Sequence, residues 1–263
     1  MEVALITVGD ELLSGDTVNT NANWLADSLT DRGVKVARIL TVPDDRQSIA
    51  DAVMTYSDGF DAVVVTGGIG GTPDDVTMEA VADAFDRELT VSELARSAVK
   101  TRLTEIEQRL PDRDLAVDVD TEAAVPDGSR PLVNETGLAP GCVLENVYVL
   151  PGIPDELMSM FDRVADEFVG KRRSTYLYTV EPEANIIPAL TESMDRFDVT
   201  VGCYPDREAA HNRLRITGVD DTELAAASEW LLENIHASET PVSREWEHDE
   251  ESKIEQDETS RSQ

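Results

Sequence analysis

Glycines and carboxylates lie side by side in one stretch of the chain, residues 62–79, with the sequence AVVVTGGIGGTPDDVTME. Four glycines within five positions let the backbone lie close to a ligand, and N–H groups at a helix start attract an anion. The adjacent Asp74 and Asp75 offer the oxygen ligands that divalent cations prefer. Helix capping by Asp or Thr would explain the carboxylates but not the glycines. The stretch predicts a site for a phosphate and a metal ion.

Alternating strands and helices position this stretch. Residues 62–65 form a run of mostly β-branched residues, which is typical of a strand buried on both faces. Two further strands precede it, over 3–8 and 34–42, and the intervening segments have helical spacing over 19–32 and 46–57. This order predicts a parallel sheet with helices on both sides and ligands at the carboxyl ends of the strands. Gly9-Asp10-Glu11, Pro43-Asp44-Asp45 and the glycine loop all fall at those ends.

The rest of the first domain is less regular. We expect a charged helix over 92–110, two strands or a hairpin over 142–150, and a helix over 155–169. Residues 111–131 are acidic and interrupted by prolines, and the pattern there does not define an element. Residues 132–141, LVNETGLAPG, form a loop rich in small residues that leads into a strand. This makes Asn134 and Gly137 candidates for ligand binding.

The pattern changes after residue 171. A strand-helix-strand-strand-helix unit with its own apolar residues follows, so we predict a domain of residues 1–171 and a small α+β domain of residues 174–236. Residues 237–263 are polar and mostly charged, which predicts a disordered acidic tail.

Composition limits the possible partners. The formal net charge is −32, from 54 acidic and 22 basic residues, and only four of the basic residues are lysine. This charge disfavours nucleic acid and anionic membrane surfaces as partners. An acidic surplus spread along globular sequence favours adaptation to a very salty cytoplasm over an acidic interaction protein. We therefore expect folding to require molar salt.

The remaining candidate ligands do not form a known site. Cys142 and Cys203 are far apart and are predicted to be free thiols, and His211, His236 and His248 have no metal-ligand spacing. No signal peptide or apolar run of about 20 residues is present, so we expect a cytoplasmic protein.

Four motifs, in order and spacing, resemble one family. GDELLSGDTVNTNANWLADSL, TGGIGGTPDDVTMEAV, NETGLAPGC and LPGIPDEL resemble the amino-terminal domain of CinA, in the molybdopterin-binding MoaB/MogA-like superfamily. Residues 174–235 are similar to the KH-like domain that follows it in CinA proteins, although a GxxG loop for clamping nucleic acid is missing. An interaction or dimerisation role is expected there. The deamidase domain of full-length CinA is absent, so deamidase activity is not implied.

The resemblance implies a three-layer α/β/α fold, a homo-oligomer and a site for a phosphorylated pterin or dinucleotide. In the MogA-like branch, an aspartate matched by Asp75 supports magnesium-dependent adenylylation of molybdopterin, and a second aspartate is matched by Asp44. In the CinA branch, the domain is associated with metal-dependent hydrolysis of ADP-ribose to AMP and ribose 5-phosphate. We expect Mg²⁺, Mn²⁺ or Co²⁺ as cofactor, with molybdopterin as a second possible ligand.

Roles for single residues follow from this chemistry, which needs charge neutralisation and in-line positioning. We expect backbone N–H groups to cradle phosphate at Gly67, Gly68, Gly70 and Gly71. We expect carboxylates to hold metal or activate water at Asp44 and Asp75, the predicted catalytic residues, and at Asp10 or Glu11. Further contacts to substrate are expected from Thr66, Thr77, Asn134, Gly137 and Gly152.

Several alternatives remain open. Asn19, Asn21 and Asn23 could orient a substrate, or Asn19 could simply cap a helix. At the level of function, the leading interpretation is an ADP-ribose pyrophosphatase. Molybdopterin adenylylation and a non-catalytic pterin- or nucleotide-binding module are the alternatives.

Overall fold

The chain divides into two units. A computed structural model describes residues 1–109 and 115–242. The first compact unit is Met1–Lys171, and the second begins at Arg172. Within the described residues, the strands of the first unit are β1 Glu2–Val8, β2 Lys35–Val42, β3 Ala62–Thr66, β4 Leu89–Val91, β5 Ala124–Pro126, β6 Arg130–Leu132, β7 Gly141–Leu144 and β8 Val147–Leu150. Its helices are α1 Asp10–Ser14, α2 Thr20–Asp31, α3 Arg46–Gly59, α4 Thr77–Ala84, α5 Glu93–Arg109, α6 Val119–Glu122 and α7 Pro154–Asp162.

A six-stranded sheet organises the first unit, in the order β2-β1-β3-β8-β7-β6. The strands β2, β1, β3 and β8 are parallel, whereas β7 and β6 are antiparallel to their neighbours. All five residues of β3 are buried, as expected for a central strand of β-branched residues. The strands β4 and β5 pair in a separate two-stranded sheet.

Helices cover both faces of the six-stranded sheet. Alternate residues of β1 and β3 point to opposite faces, so Ile6 and Val65 pack with α3 and α4, while Leu5 and Val64 pack with α2 and α7. Each face is thereby a separate apolar core. The predicted α/β fold with a mostly parallel sheet and helices on both sides is confirmed.

The structure adds three details to the sequence prediction. Asp74 and Asp75 lie in a turn before α4, which begins at Thr77. The helix predicted over 155–169 ends at Asp162, and a 3-10 turn at Ala165–Glu167 follows. This turn brings Phe168 against Phe161 and Tyr148 in the core, with ring centroids 5.5 and 4.7 Å apart. Residues 115–131, which the sequence left unassigned, contain α6, β5 and the start of β6.

The second unit is a small α+β domain. Its elements are β9 Arg173–Thr179, α8 Glu183–Arg196, β10 Val199–Asp206, β11 His211–Gly218 and α9 Asp221–Asn234. The strands form an antiparallel sheet in the order β10-β11-β9, and both helices pack on an apolar core with it. The strand-helix-strand-strand-helix order agrees with the sequence prediction.

The start of the predicted tail is part of this second unit. Ser238 exchanges two backbone hydrogen bonds with Tyr178, of 2.8 and 2.9 Å, so the predicted disorder does not fit residues 237–242. The backbone of Tyr178, on an edge strand, offers these unpaired groups. The rest of the predicted tail, from residue 243, lies outside the described residues.

Both cysteines are free thiols, as predicted. Cys142 is buried, and burial raises the pKa of its thiol to about 12. No described helix is long and apolar enough to cross a membrane.

Candidate functional site

A cavity of about 420 Å³ lies where the parallel strands end. The loops after β1, β2, β3 and β8 meet there, as expected for the carboxyl ends of neighbouring parallel strands. We call it the strand-end cavity. Its lining comprises Val8, Gly9, Glu11, Asp44, Gly67, Gly68, Ile69, Gly70, Asp74, Asp75, Ala139, Pro151, Gly152, Ile153 and Glu156.

The structure brings together about half of the predicted site residues. Those that line the strand-end cavity are Glu11, Asp44, Gly67, Gly68, Gly70, Asp75 and Gly152. Those that do not line it are Asp10, Thr66, Gly71, Thr77, Asn134 and Gly137. Two carboxylate loops and the glycine loop, which are far apart in sequence, therefore face one space.

The glycine loop packs tightly against the end of β1. Gly67 has φ +102°, and a Cβ atom there would lie 2.4 Å from the Val8 carbonyl oxygen. A side chain at this position would meet both a backbone penalty and a collision with backbone. A Cβ at Gly152 would also come within 3.3 Å of the Gly67 Cα. Glycine is required here so that the loops after β1, β3 and β8 can converge.

The Asp44 carboxylate is fixed by the first loop. Its Oδ2 accepts a hydrogen bond of 2.8 Å from the Asp10 backbone N–H. The neighbouring Asp45 caps α3 by accepting from the Ser48 N–H, also at 2.8 Å. Asp10 thus positions Asp44 with its backbone, and it is Glu11 of that loop that lines the cavity.

The Asp75 carboxylate is held by the turn in front of α4. Its Oδ2 accepts a 3.0 Å hydrogen bond from the Thr72 N–H and another from the Thr72 hydroxyl. A Cβ at Gly70 would lie 2.7 Å from the same oxygen, so the carboxylate rests directly on the glycine loop. Asp75 and the loop are consequently one structural unit.

The two threonines differ from the prediction that they bind substrate. The Thr66 hydroxyl donates to the Pro151 carbonyl at 2.7 Å, and the Thr77 hydroxyl donates to the Gly67 carbonyl at 2.9 Å. Both side chains are buried. A hydroxyl has a single proton to donate, so these residues are committed to holding the loops in place.

Asn134 and Gly137 do not line the cavity but contact a residue that does. The buried Asn134 donates to Glu156 Oε2 at 2.7 Å and accepts from the Gly137 N–H at 2.7 Å. A Cβ at Gly137 would collide with the Glu156 carboxylate. The loop thereby fixes Glu156, which does line the strand-end cavity.

Glu156 is a site residue that the sequence prediction missed. It lies in the first turn of α7, directly after the end of β8, in the LPGIPDEL motif. Its position after a parallel strand is the available signal, because the other carboxylates that line the cavity also follow strand ends.

A second cavity of about 230 Å³ adjoins the glycine loop, and we call it the side cavity. Gly68, Ile69, Gly70 and Asp75 line both cavities. Glu122, from α6, lines the side cavity and not the strand-end cavity. The pKa of its carboxyl is raised, mainly by burial and also by repulsion from Asp75. No sequence signal pointed to Glu122, because its segment had no predicted element.

The divalent metal ion expected from the sequence stays a prediction. Among residues 1–109 and 115–242, no three His, Cys, Asp or Glu side chains are grouped to hold an ion by themselves. Mg²⁺ typically binds one or two carboxylates and completes its shell with water and substrate phosphate oxygens. The carboxylates that face the strand-end cavity fit that mode of binding.

Asn19 has the capping role that the sequence left open. It is the N-cap of α2, its Oδ1 accepts from the Ala22 N–H at 3.1 Å, and its Nδ2 donates to the Thr7 hydroxyl. The Asn21 amide donates to the Gly152 carbonyl at 2.6 Å, so it supports the loop after β8.

Comparisons with known proteins agree with this fold. Residues 4–171 match the family described as "Probable molybdopterin binding domain", and residues 171–242 match the family described as "FAD synthase, middle domain". A protein of Archaeoglobus fulgidus is 39% identical over 207 residues, which cover 78% of this chain and 86% of that one.

Two further matches carry the name CinA. A CinA-like protein of Citrifermentans bemidjiense is 40% identical over 176 residues, covering 65% of this chain and 41% of that protein. The crystal structure of CinA from Thermoplasma acidophilum, described as a protein of unknown function, is 32% identical with a TM-score of 0.56. That match covers 64% of this chain and 98% of the other.

Proposed function

Because the chain belongs to the molybdopterin-binding domain family, we propose that its strand-end cavity binds a phosphorylated nucleotide or pterin and supports attack at an adenylyl phosphorus. The proposed substrate is ADP-ribose. The resemblance of the four sequence motifs to the CinA branch, which is associated with hydrolysis of ADP-ribose, supports this choice over a general nucleotide.

One observation carries the proposal: the glycine loop and two carboxylates from different strand ends, Asp44 and Asp75, face the same cavity. Phosphoryl chemistry depends mainly on positioning and charge stabilisation. Backbone N–H groups of the loop suit the phosphate oxygens, and the carboxylates suit a metal or an attacking water. A volume of about 420 Å³ lies within the usual range for small-molecule sites.

A divalent cation would be held by one or two of the carboxylates that line the strand-end cavity, with Asp44 and Asp75 as first candidates and Glu11 as the alternative. It supplies positive charge that offsets the charge of the pyrophosphate. Five carboxylates line the cavity, but no three of the described ones are grouped as a set of ligands, which favours an ion that shares its ligands with the substrate.

The proposed reaction consumes one water molecule. The water oxygen bonds to the adenylyl phosphorus, and the bond from that phosphorus to the bridging oxygen breaks. AMP and ribose 5-phosphate leave, and the water proton passes through a carboxylate to solvent. Asp44 and Asp75 are the candidates for accepting this proton, because both are fixed by hydrogen bonds from backbone N–H groups.

AMP release from ADP-ribose in molar KCl with Mg²⁺, Mn²⁺ or Co²⁺ tests the proposal. Asp75→Asn keeps an acceptor for Thr72 but loses the negative charge, so turnover should fall about 100-fold or more. Asp58→Asn, at an exposed site on α3, is the matched control and should turn over normally. Full activity in the Asp75 variant would contradict the assignment.

Molybdopterin adenylylation is the second candidate, and the description of the family as a probable molybdopterin binding domain supports a pterin as ligand. It uses the same attack at an adenylyl phosphorus. An absence of AMP with every metal, together with pterin binding and adenylyl transfer from ATP, would support it instead. Pterin binding without transfer would point to a non-catalytic module.

For the second unit we propose an interaction role and not catalysis. The KH-like resemblance stays a prediction for this unit, whose residues match the FAD synthase middle domain. The expected homo-oligomer and cytoplasmic location also stay predictions.

A further inference from the structure

We propose that the side cavity is a subsite for the terminal sugar of the substrate, so that the pyrophosphate lies between the two cavities. This inference rests on the proposed hydrolysis of a nucleoside diphosphate sugar. It extends that proposal to residues of α6, outside the motifs that suggested it.

The arrangement of the two cavities supports a substrate with two halves. The glycine loop forms part of both walls, because Gly68, Ile69 and Gly70 line each cavity. Asp75 also lines each, and its carboxylate rests against Gly70. A ligand whose phosphates lie at this loop would therefore have one half in each space.

Glu122 reaches the glycine loop from a distant part of the chain. A Cβ at Gly71 would lie 2.2 Å from Glu122 Oε1, so the carboxylate packs directly on that glycine. Gly71 lines the side cavity and not the strand-end cavity, so the Glu122 carboxylate lies at the border of the side cavity.

The lining indicates which half each cavity accepts. The side cavity has carboxylates from Asp75, Glu79 and Glu122 and apolar walls from Met78 and Leu89. Ionised carboxylates only accept hydrogen bonds, so they suit the hydroxyl groups of a sugar and repel another phosphate. The smaller volume, about 230 Å³, also suits a single sugar better than a nucleoside. The adenylyl half would occupy the larger strand-end cavity.

Binding of two non-hydrolysable ligands tests this subsite. One is the α,β-methylene analogue of ADP-ribose, and the other is α,β-methylene-ADP, which lacks the terminal ribose. With Mg²⁺ present, Glu122→Ala should raise Kd for the ribose-bearing ligand about tenfold and leave Kd for α,β-methylene-ADP unchanged. The control Glu107→Ala, at an exposed site on α5, should change neither constant.

Other outcomes would overturn the subsite. They are equal weakening of both ligands, no change in either, or no binding of either by the wild-type protein. Thermal unfolding of each variant shows whether a change in Kd reflects misfolding, and Glu122→Gln provides a second variant of nearly the same shape. AMP release by the wild type is measured separately. If Glu122→Ala weakens only the ribose-bearing ligand and the wild type releases no AMP, the subsite is supported and the proposed hydrolysis is rejected. If the wild type releases AMP and Glu122→Ala changes neither Kd, hydrolysis is supported and the subsite is rejected.

Discussion

At the scale of single residues, the site depends on backbone contacts that no larger side chain allows. Gly67 combines a positive φ with a position against the Val8 carbonyl. The residue therefore sets the distance between the loop after β3 and the end of β1. Its substitution is a direct test of whether this close approach matters.

We expect Gly67→Ala to destabilise the protein by at least about 1 kcal/mol, because alanine is strained at this φ and its Cβ would meet Val8. Ligand binding should weaken more than stability alone explains, since the loop must shift. Urea unfolding and nucleotide titration measure the two effects. Gly59→Ala, in α3 with no atom within 4 Å of a new Cβ, is the control and should be neutral or slightly stabilising, because alanine favours a helix. Identical behaviour of the two variants would contradict the requirement.

The residue scale also shows which placements follow from the sequence and which do not. The glycine loop and Asp44 could be predicted to meet, because residues that follow neighbouring parallel strands converge at one edge of the sheet. Thr66 and Thr77 could not be judged in the same way, because a hydroxyl beside a loop serves a ligand or a backbone carbonyl equally well. The structure decides for the carbonyl in both cases.

At the scale of elements, long strands could be predicted from the sequence and short strands could not. The strands β1, β2 and β3 have five to eight residues of apolar pattern and were found close to their ends. The strands β5 and β6 have three residues each, and their partners β4 and β7 define them as strands. Such pairing is not visible in a local pattern, which is why residues 115–131 and Glu122 were missed.

One carboxylate connects three elements on the α7 side of the sheet. Glu167, in the 3-10 turn, accepts from Arg130 of β6 at 2.7 Å and from the Tyr148 hydroxyl of β8 at 2.9 Å. Burial and the hydrogen bond to Glu167 raise the pKa of Tyr148 to about 12. The link between β8 and the turn therefore requires a protonated tyrosine.

This link predicts a loss of stability at alkaline pH. The folded-state pKa of Tyr148 is above the value of about 10 in an unfolded chain, so its contribution is complete below pH 10 and disappears as pH rises towards 12. Thermal unfolding between pH 9 and about 12 measures the effect. Tyr148→Phe should be less stable near neutral pH and should lose less stability on alkalinisation. An identical alkaline slope in wild type and variant would reject the link.

At the scale of the whole molecule, negative charge is the dominant feature. A formal charge of −32 on 263 residues opposes compact folding, because like charges are closer in the folded state than in the unfolded chain. The ion pairs among the described residues involve side chains at the surface, such as Arg46 with Asp83 and Lys35 with Glu2. Solvent screens pairs of this kind, so they contribute little to stability and do not offset the general repulsion.

Salt should therefore stabilise the protein. The Debye length falls from about 10 Å at 0.1 M to about 3 Å at 1 M, so repulsion between separate carboxylates is largely screened in molar KCl. We expect the unfolding midpoint to rise steeply with KCl and then level off once screening is complete. Circular dichroism across a KCl series measures this, and sucrose at equal osmolality is the control because it stabilises without screening charge. If the protein gives a full native spectrum in dilute buffer and its unfolding midpoint there equals the midpoint in molar KCl, the acidic surplus does not make folding depend on salt.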